Sequence, residues 1–311
     1  ASVIFYEKLL ENKKFDENVE YTEDGKFINE ILLNVKKYSV FRDAVCLYRR
    51  RLDESSAIQN STKSKSWYMI TPWHVYEYLF DLSIKKHEKV LHFIQFTVMY
   101  DLQWRITKKK SSILSEKENI KYVEQIIKLI KQIDDRVIIE QKNINAQTKM
   151  YILKLKYGNN YIKHIKRLKT KIYFNNIEIF DLRDFPFLKI NVLEINGSTI
   201  NLTGEITLPF EMSCSEFYFK LKNNTVYPVN RKLDKSSCLQ YFDDDNVKMC
   251  YRYNFVCNIP LLEKGSISAF IKYDNAVTRI PISFGRFAKF NKCNSNNWYS
   301  NRNYILKFSK N

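Results

Sequence analysis

The sequence predicts an α+β protein: an α/β remnant at the N-terminus (residues 1–66), a helical middle region (67–184) and a C-terminal antiparallel β-sandwich (185–311). Apolar residues recur at spacings of three and four through the middle of the chain, the period of a helix face. Beyond about Phe185 the period drops to two. Glycine and proline number only 6 each in 311 residues, which is hard to square with a complete nucleotide-binding α/β domain, whose turns consume glycine.

In the first 66 residues the pattern gives a short apolar helix from Val3 to Leu10, a second helix beginning after Thr22, and a strand from Ser39 to Tyr48. Thr22 has the chemistry of an N-cap and places Glu23 and Asp24 in the first turn, where carboxylates suit the helix dipole. Ile28, Ile31, Leu32 and Val35 supply the apolar face. An acidic pair in that place caps a helix; with Gly25 allowing close backbone approach it is also a way to present a carboxylate to a sugar hydroxyl. Three arginines, Arg49-Arg50-Arg51, then lead into the polar run Ser55-Ser56 and a Ser/Thr/Lys-rich segment ending at Ser66. Consecutive arginines are either a solvated surface or forks for phosphate oxygens.

Glu23-Asp24-x-x-Phe27, preceded by Phe15-Asp16 and followed by Tyr48-Arg49-Arg50-Arg51 and Ser55-Ser56, resembles the last third of a family-2 glycosyltransferase catalytic domain of the GT-A type. The resemblance implies that Asp24 is the general base that deprotonates the acceptor hydroxyl, that Glu23 supports its geometry, and that Tyr48, Arg49, Arg51 and Ser55 line the substrate site. It also implies that the half of the domain holding the sugar nucleotide precedes this sequence, which then reads as a C-terminal portion of a longer enzyme, unable to catalyse transfer alone. A divalent metal, Mg or Mn, is expected on the donor diphosphate, with ligands in that preceding half and none in this chain. The implied partners are a nucleotide-sugar donor and an anionic polymer acceptor such as capsule or teichoic acid.

From Trp67 to Ile106 the chain is aromatic-rich and helical, with a helix from Thr71-Pro72 carrying Val75, Tyr78, Leu79 and Leu82 on one side and a second from Val90 to Arg105. The segment Gln95-Phe96-x-x-Met99-Tyr100-Asp101-Leu102-Gln103-Trp104-Arg105 is similar to the helical extension of capsule and teichoic-acid glycosyltransferases. Its aromatic stripe is read as core. Helix continues from Ser115 to Asn145, with Ile120, Val123, Ile127 and Ile130 inward and Lys121, Glu124, Lys128 and Lys131 outward. Asp134-Asp135 is not a metal site, because nothing nearby supplies further ligands and Asp135-Arg136 suits a local ion pair.

Between Lys149 and Lys171 lysines and arginine interleave with Tyr151, Tyr157 and Tyr161. A solvated helix face is the first reading; a single-stranded nucleic-acid groove or an amphipathic helix on anionic lipid uses the same residues. Beyond Phe185, Ile200, Leu202, Ile206 and Leu208 alternate, as do Phe217, Phe219 and Leu221, and the residues from Val247 to Cys257. Turn signals at Asn196-Gly197, Asn223-Asn224, Lys264-Gly265 and Asp274-Asn275 separate these strands. Asp243-Asp244-Asp245 matches an Asp-x-Asp metal motif but falls between strands and downstream of the acidic pair, so it is read as a turn.

The formal net charge of +17 creates a field that attracts polyanions without choosing among nucleic acid, anionic lipid and a phosphate-bearing polymer. The six cysteines show no C-x-x-C pair, and no histidine sits at ligand spacing with them, so a structural zinc site is not expected. No signal peptide is evident, so a cytoplasmic setting with reduced thiols is expected, and no apolar run approaches membrane-spanning length. The family resemblance implies a place peripheral to the inner membrane face. The alternative to an enzyme segment is a non-catalytic module that binds a polyanion or mediates homo-oligomerisation; nucleic acid is not the expected partner.

Overall fold

The computed structural model describes residues 6–10, 13–39, 61–108, 112–185, 187–196, 198–212, 215–233, 251–260, 267–285, 291–293, 298–300 and 305–307. These residues are α+β, and they fall into two compact units: residues up to 144 with 155–158, and residues 145–154 with most of the chain from 159 onward.

In the first unit the described elements are helical. A one-turn 3-10 helix spans Glu7–Leu9; the first part of the predicted helix, residues 3–5, lies outside the described residues, and α1 runs Glu23–Val35. The predicted strand 39–48 lies, apart from Ser39, outside the described residues. A short α2 (Lys65–Met69), a π-helical turn (Pro72–Glu77) and α3 (Tyr78–His87) follow, so the chain becomes helical before Thr71. Ser64 starts α2 by accepting the Ser66 N–H at 3.2 Å. The next helix, α4, spans His92–Ile106, within two residues of its predicted bounds.

The aromatic stripe of α4 corrects the sequence reading. Tyr100 and Trp104 are 52% and 47% exposed, while Ile94, Val98, Met99 and Leu102 fill the core. The reason lies in Arg105, which is fully buried and fixes the helix rotation. Its guanidinium stacks 3.8 Å from the Trp67 ring, donates to the Trp67 carbonyl, and reaches Tyr76 Oη at 3.1 Å and Asp101 Oδ2 at 3.3 Å. A buried charge needs this many partners, and meeting them turns Tyr100 and Trp104 outward.

Helix α5 (Glu116–Lys131) opens with a capping box between Ser115 and Glu118. Its inward stripe is Tyr122, Ile126, Leu129 and Ile130, and Ile120 is 54% exposed, so the predicted face is turned by about one residue. Helix does not run on to Asn145: α5 ends at Lys131 and a separate α6 spans Asp135–Ile139. There the two aspartates divide the work of closure. Asp134 accepts from Gln95 Nε2 at 3.0 Å while its N–H donates to Gln95 Oε1 at 2.7 Å. Asp135 pairs with Lys156 at 2.7 Å and accepts from Tyr157 Oη, and Arg136 pairs with Glu140 instead of its neighbour.

Helix α7 covers Ala146–Tyr157, and strands begin about twenty residues earlier than the change of period suggests. β1 (Ile165–Leu168), β2 (Lys171–Phe174) and β3 (Ile177–Asp181) make an antiparallel three-stranded sheet, so the basic stretch 149–171 is only half helical. The sandwich has one sheet from β6 (Glu216–Leu221), β7 (Val226–Pro228), β10 (Ile267–Tyr273) and β11 (Ala276–Ile280), in the order β11-β10-β6-β7. The other is built from β4 (Leu188–Asn196), β5 (Thr199–Leu208), β8 (Asn230–Leu233), β9 (Tyr251–Pro260) and β12 (Ile282–Phe284), in the order β12-β4-β5-β9-β8. All pairings within these sheets are antiparallel except β12 with β4. A third small sheet joins β13 (Asn291–Cys293), β14 (Trp298–Ser300) and β15 (Ile305–Lys307).

Ile200, Leu202, Ile206 and Leu208 on β5 and Phe217, Phe219 and Leu221 on β6 all point into the core, as their alternation predicts. Asp274-Asn275 turns with φ of 52° and 58°, the conformation a two-residue hairpin demands. Cys257 is buried among these strands, and burial pushes its thiol up to about 11, so it stays protonated and inert. At Gly204 a Cβ would meet the Lys189 carbonyl oxygen at 2.0 Å and the Phe255 ring at 2.8 Å, beside the β4–β5 register shift. Gly204→Ala is expected to destabilise the second unit by about 3 kcal/mol or more through overpacking against paired backbone; urea unfolding followed by circular dichroism measures it.

Candidate active site

The first turn of α1 carries the acidic pair, and the chain before it is folded to hold that turn. Phe15 stacks on Phe27 with centroids 4.5 Å apart. Asp16 accepts the Asn18 N–H at 3.0 Å in an Asx-turn and pairs through its other oxygen with Lys26 Nζ at 2.5 Å. The Lys26 ammonium also sits 4.3 Å from the centre of the Tyr78 ring. Glu20 accepts from Ser64 Oγ at 3.2 Å, and Val19 and Tyr21 are buried.

These contacts move several proton equilibria. Lys26 beside it, with the Asn18 N–H, holds the Asp16 carboxyl below the usual carboxylate range. Burial, reinforced by Glu30 and Asp16, pushes the Tyr78 phenol up to about 12, and burial likewise raises Tyr21. Both tyrosines are therefore neutral hydrogen-bonding groups at pH 7.

Thr22 occupies the N-cap position but does not cap. Its φ is 64°, in the left-handed region, and its hydroxyl donates to the Tyr21 carbonyl instead of accepting from the helix. For a β-branched residue this backbone is strained by roughly 1–3 kcal/mol. The compensating contacts are those just described, which bring the chain into α1 from the wrong direction for an ordinary cap.

Beyond Thr22, Glu23 is half-buried and Asp24 is exposed, its Oδ1 accepting the Gly25 N–H at 2.6 Å. Among the described residues neither carboxylate is in an ion pair. The space beside Gly25 is open, its would-be Cβ lying 4.0 Å from the nearest atom, Thr22 Cβ. The arrangement is an acceptor-only oxygen pair on a helix N-terminus with room for a ligand to approach the backbone.

Tyr48, Arg49, Arg51 and Ser55 lie outside the described residues, as do Asp243, Asp244 and Asp245. The described residues contain no group of three His, Cys, Asp or Glu side chains able to hold a metal ion. Sequence reasoning missed the partnership of Asp16, Lys26 and Tyr78. Phe15-Asp16 and Lys26 stood within the same stretch, but a contact across ten residues to a third group on α3 leaves no periodic trace.

No protein-family model matches the chain. It is 32% identical over 239 residues to the minor teichoic acid biosynthesis protein GgaB of Bacillus subtilis (strain 168), covering 75% of this chain and 26% of GgaB. It is 25% identical over 219 residues to the minor teichoic acid biosynthesis protein GgaA of the same strain, covering 68% of this chain and 44% of GgaA. The chain is homologous to GgaB and GgaA. It spans about a quarter of the length of one and less than half of the other. A crystal structure of residues 217–571 of TarS from S. aureus aligns over 76% of both chains with a TM-score of 0.29 and 11% identity, too weak a likeness to support a statement about fold or function.

Asp16→Asn removes the charge that Lys26 is buried against, and is expected to destabilise the first unit by about 1 kcal/mol at neutral pH. Because the folded pKa of Asp16 is depressed, its contribution is complete above the unfolded carboxylate value near ~4 and is lost as pH falls through the lower folded value. The gap between wild type and variant should therefore be constant from about pH 5 to 7 and close on acidification, as read by urea unfolding at a series of pH values.

Proposed function

We propose that the chain is a segment of a glycosyltransferase that moves a sugar from a nucleotide-sugar donor to a hydroxyl of a cell-surface teichoic acid or related polysaccharide, with Asp24 as the general base. The observation that carries this reading is the presentation of Glu23-Asp24 on the first turn of α1, behind a strained Thr22, in a chain homologous to two teichoic acid biosynthesis proteins.

In this reading the acceptor hydroxyl approaches Asp24, which takes its proton as the oxygen attacks the anomeric carbon and the nucleoside diphosphate leaves. Glu23, half-buried, keeps the first turn in place, and the exposed oxygen of Asp24 faces the acceptor. The Lys26–Asp16 pair neutralises the buried Lys26 ammonium, so it does not compete for Asp24. Arg49 and Arg51, with Tyr48 and Ser55, steady the negative charge of donor or acceptor.

The described residues do not fit the divalent ion that the family resemblance implies, and no step here runs through it. Its ligands belong, in this proposal, to a donor-binding half elsewhere in the full-length enzyme. No helix among the described residues is long and apolar enough to cross a membrane. The likeness to two teichoic acid biosynthesis proteins is what supports placing the enzyme, in this proposal, in the cytoplasm at the inner membrane face.

In the full-length enzyme, Asp24→Asn is expected to lower the rate of sugar transfer about 10²–10⁴-fold with little change in the donor KM, as general-base loss does. A radiolabelled-donor assay reads it. Transfer at an unchanged rate by Asp24→Asn overturns the assignment.

A further inference from the structure

Residues 141–177 contain nine Lys or Arg and no Asp or Glu. An ordinary solvated surface intersperses both signs, and this stretch does not. The fold accounts for several of the cations. Lys154 is buried with its Nζ 3.0 Å from Tyr251 Oη, and Lys156 is paired with Asp135. Arg167 is committed to backbone, donating to the carbonyls of Tyr273, Ala276 and Lys169 and to Thr278 Oγ1, which ties β1 to the β10–β11 turn. Lys171 pairs with Glu178 at 2.6 Å across the β2–β3 hairpin.

Of the other five, Lys142 and Lys149 lie before or early in α7, and those around β1 are Lys163, Lys166 and Lys169. All three are exposed, and among the described residues none of them is in an ion pair. Lys166 lies on the outer face of β1, opposite Tyr173 on β2, and Lys169 sits in the β1–β2 turn with φ 57°. Leu168 and Ile162, 61% and 44% exposed, separate the cations with aliphatic surface. The inner face of the same sheet carries Ile172 and Phe174, both fully buried, so the outer face is rigidly presented.

We propose that the outer face of the β1–β2 hairpin, together with the exposed end of the 3-10 segment Gly158–His164 that leads into it, docks the anionic acceptor: a polymer whose repeating phosphodiesters meet Lys163, Lys166 and Lys169, with its sugar or polyol carbons against Leu168 and Ile162. The proposal deepens the reading of the chain as a polymer-building enzyme segment and rests on it. Charge complementarity supplies the argument: the carboxylate of the neighbouring β3, Glu178, is already paired with Lys171, and the three uncompensated cations lose nothing by meeting phosphate and release its counterions. Two other polyanions fit less well. A single-stranded nucleic acid asks for several exposed aromatic planes, and this face offers only the half-buried Tyr173. A lipid surface asks for an amphipathic helix, and residues 165–174 are a strand hairpin.

Binding of a poly(glycerol phosphate) chain to the whole protein, followed by fluorescence polarisation over a salt series, tests this without any donor sugar. Substituting Lys163→Gln, Lys166→Gln and Lys169→Gln together is expected to weaken binding about tenfold at low salt and to flatten the logarithmic salt slope by about 2. A control triple on α5, Lys117→Gln, Lys121→Gln and Lys131→Gln, removes the same charge from exposed positions and should bind like wild type. Equal losses from both triples, or none from the hairpin triple, overturn the proposal. So does tighter binding, through the same lysines, of a single-stranded oligonucleotide or of anionic vesicles. Asp24→Asn should leave this binding unmoved, so failure of the base assignment and failure of the docking face give different results.

Discussion

Burying an ammonium group inside a protein is costly unless something charged goes in with it, and at Lys26 that requirement shapes everything around the acidic pair. Asp16 must fold back across ten residues to meet it, and Tyr78 must lie beneath it. Those two demands draw the chain before α1 against α1 and α3, bring Phe15 onto Phe27, and leave Thr22 to make the turn into the helix with a left-handed backbone. A matched pair of apolar side chains in place of Lys26 and Asp16 would cost little in stability. The ion pair adds direction: it fixes which way the first turn of α1 faces, and so where Glu23 and Asp24 are held.

The same logic governs a second buried cation among the described residues of this unit. Arg105 needs a carbonyl, a phenol, a carboxylate and an indole face, and these come from Trp67, Tyr76 and Asp101. That explains which parts of the helical region were legible in the sequence. The bounds of α4 followed from period, but its rotation was set by a charged residue that no hydrophobic pattern counts as core, so the aromatic stripe was read on the wrong side. On α5 the error was smaller and of the same kind, because Tyr122 packs inward and carries a polar atom that period counting discounts.

Strands of the sandwich were read more faithfully, since β5 and β6 each bury one side and a period of two leaves no rotational freedom to misjudge. The β1–β3 sheet escaped notice because its basic residues look helical when counted as a charged face and because Asn175-Asn176, its hairpin turn with φ of 46° and 66°, contains no glycine to announce it. Of the candidate site, the acidic pair and the helix it opens were readable as local signals. The Asp16, Lys26 and Tyr78 contacts that hold the pair were not, being long-range and electrostatic.

The net charge becomes informative only once folding has sorted it. Summed over the chain, +17 is compatible with any polyanion and with mere compositional bias toward lysine. Residue by residue, Lys26, Arg105, Lys154, Lys156 and Arg167 are spent on structure, and their substitution would be felt as lost stability. Lys163, Lys166 and Lys169 are exposed and, among the described residues, in no ion pair, with Lys166 on the outer face of β1, Lys169 in the turn after it and Lys163 just before it. A base such as Asp24 needs an acceptor held long enough for its hydroxyl to be aligned, and alignment is supplied by binding energy gathered away from the reacting atoms. On the proposed reading the two features are complementary: the exposed carboxylate gives the chemistry, and the uncompensated lysines give a polyanionic acceptor a place to be held while it occurs.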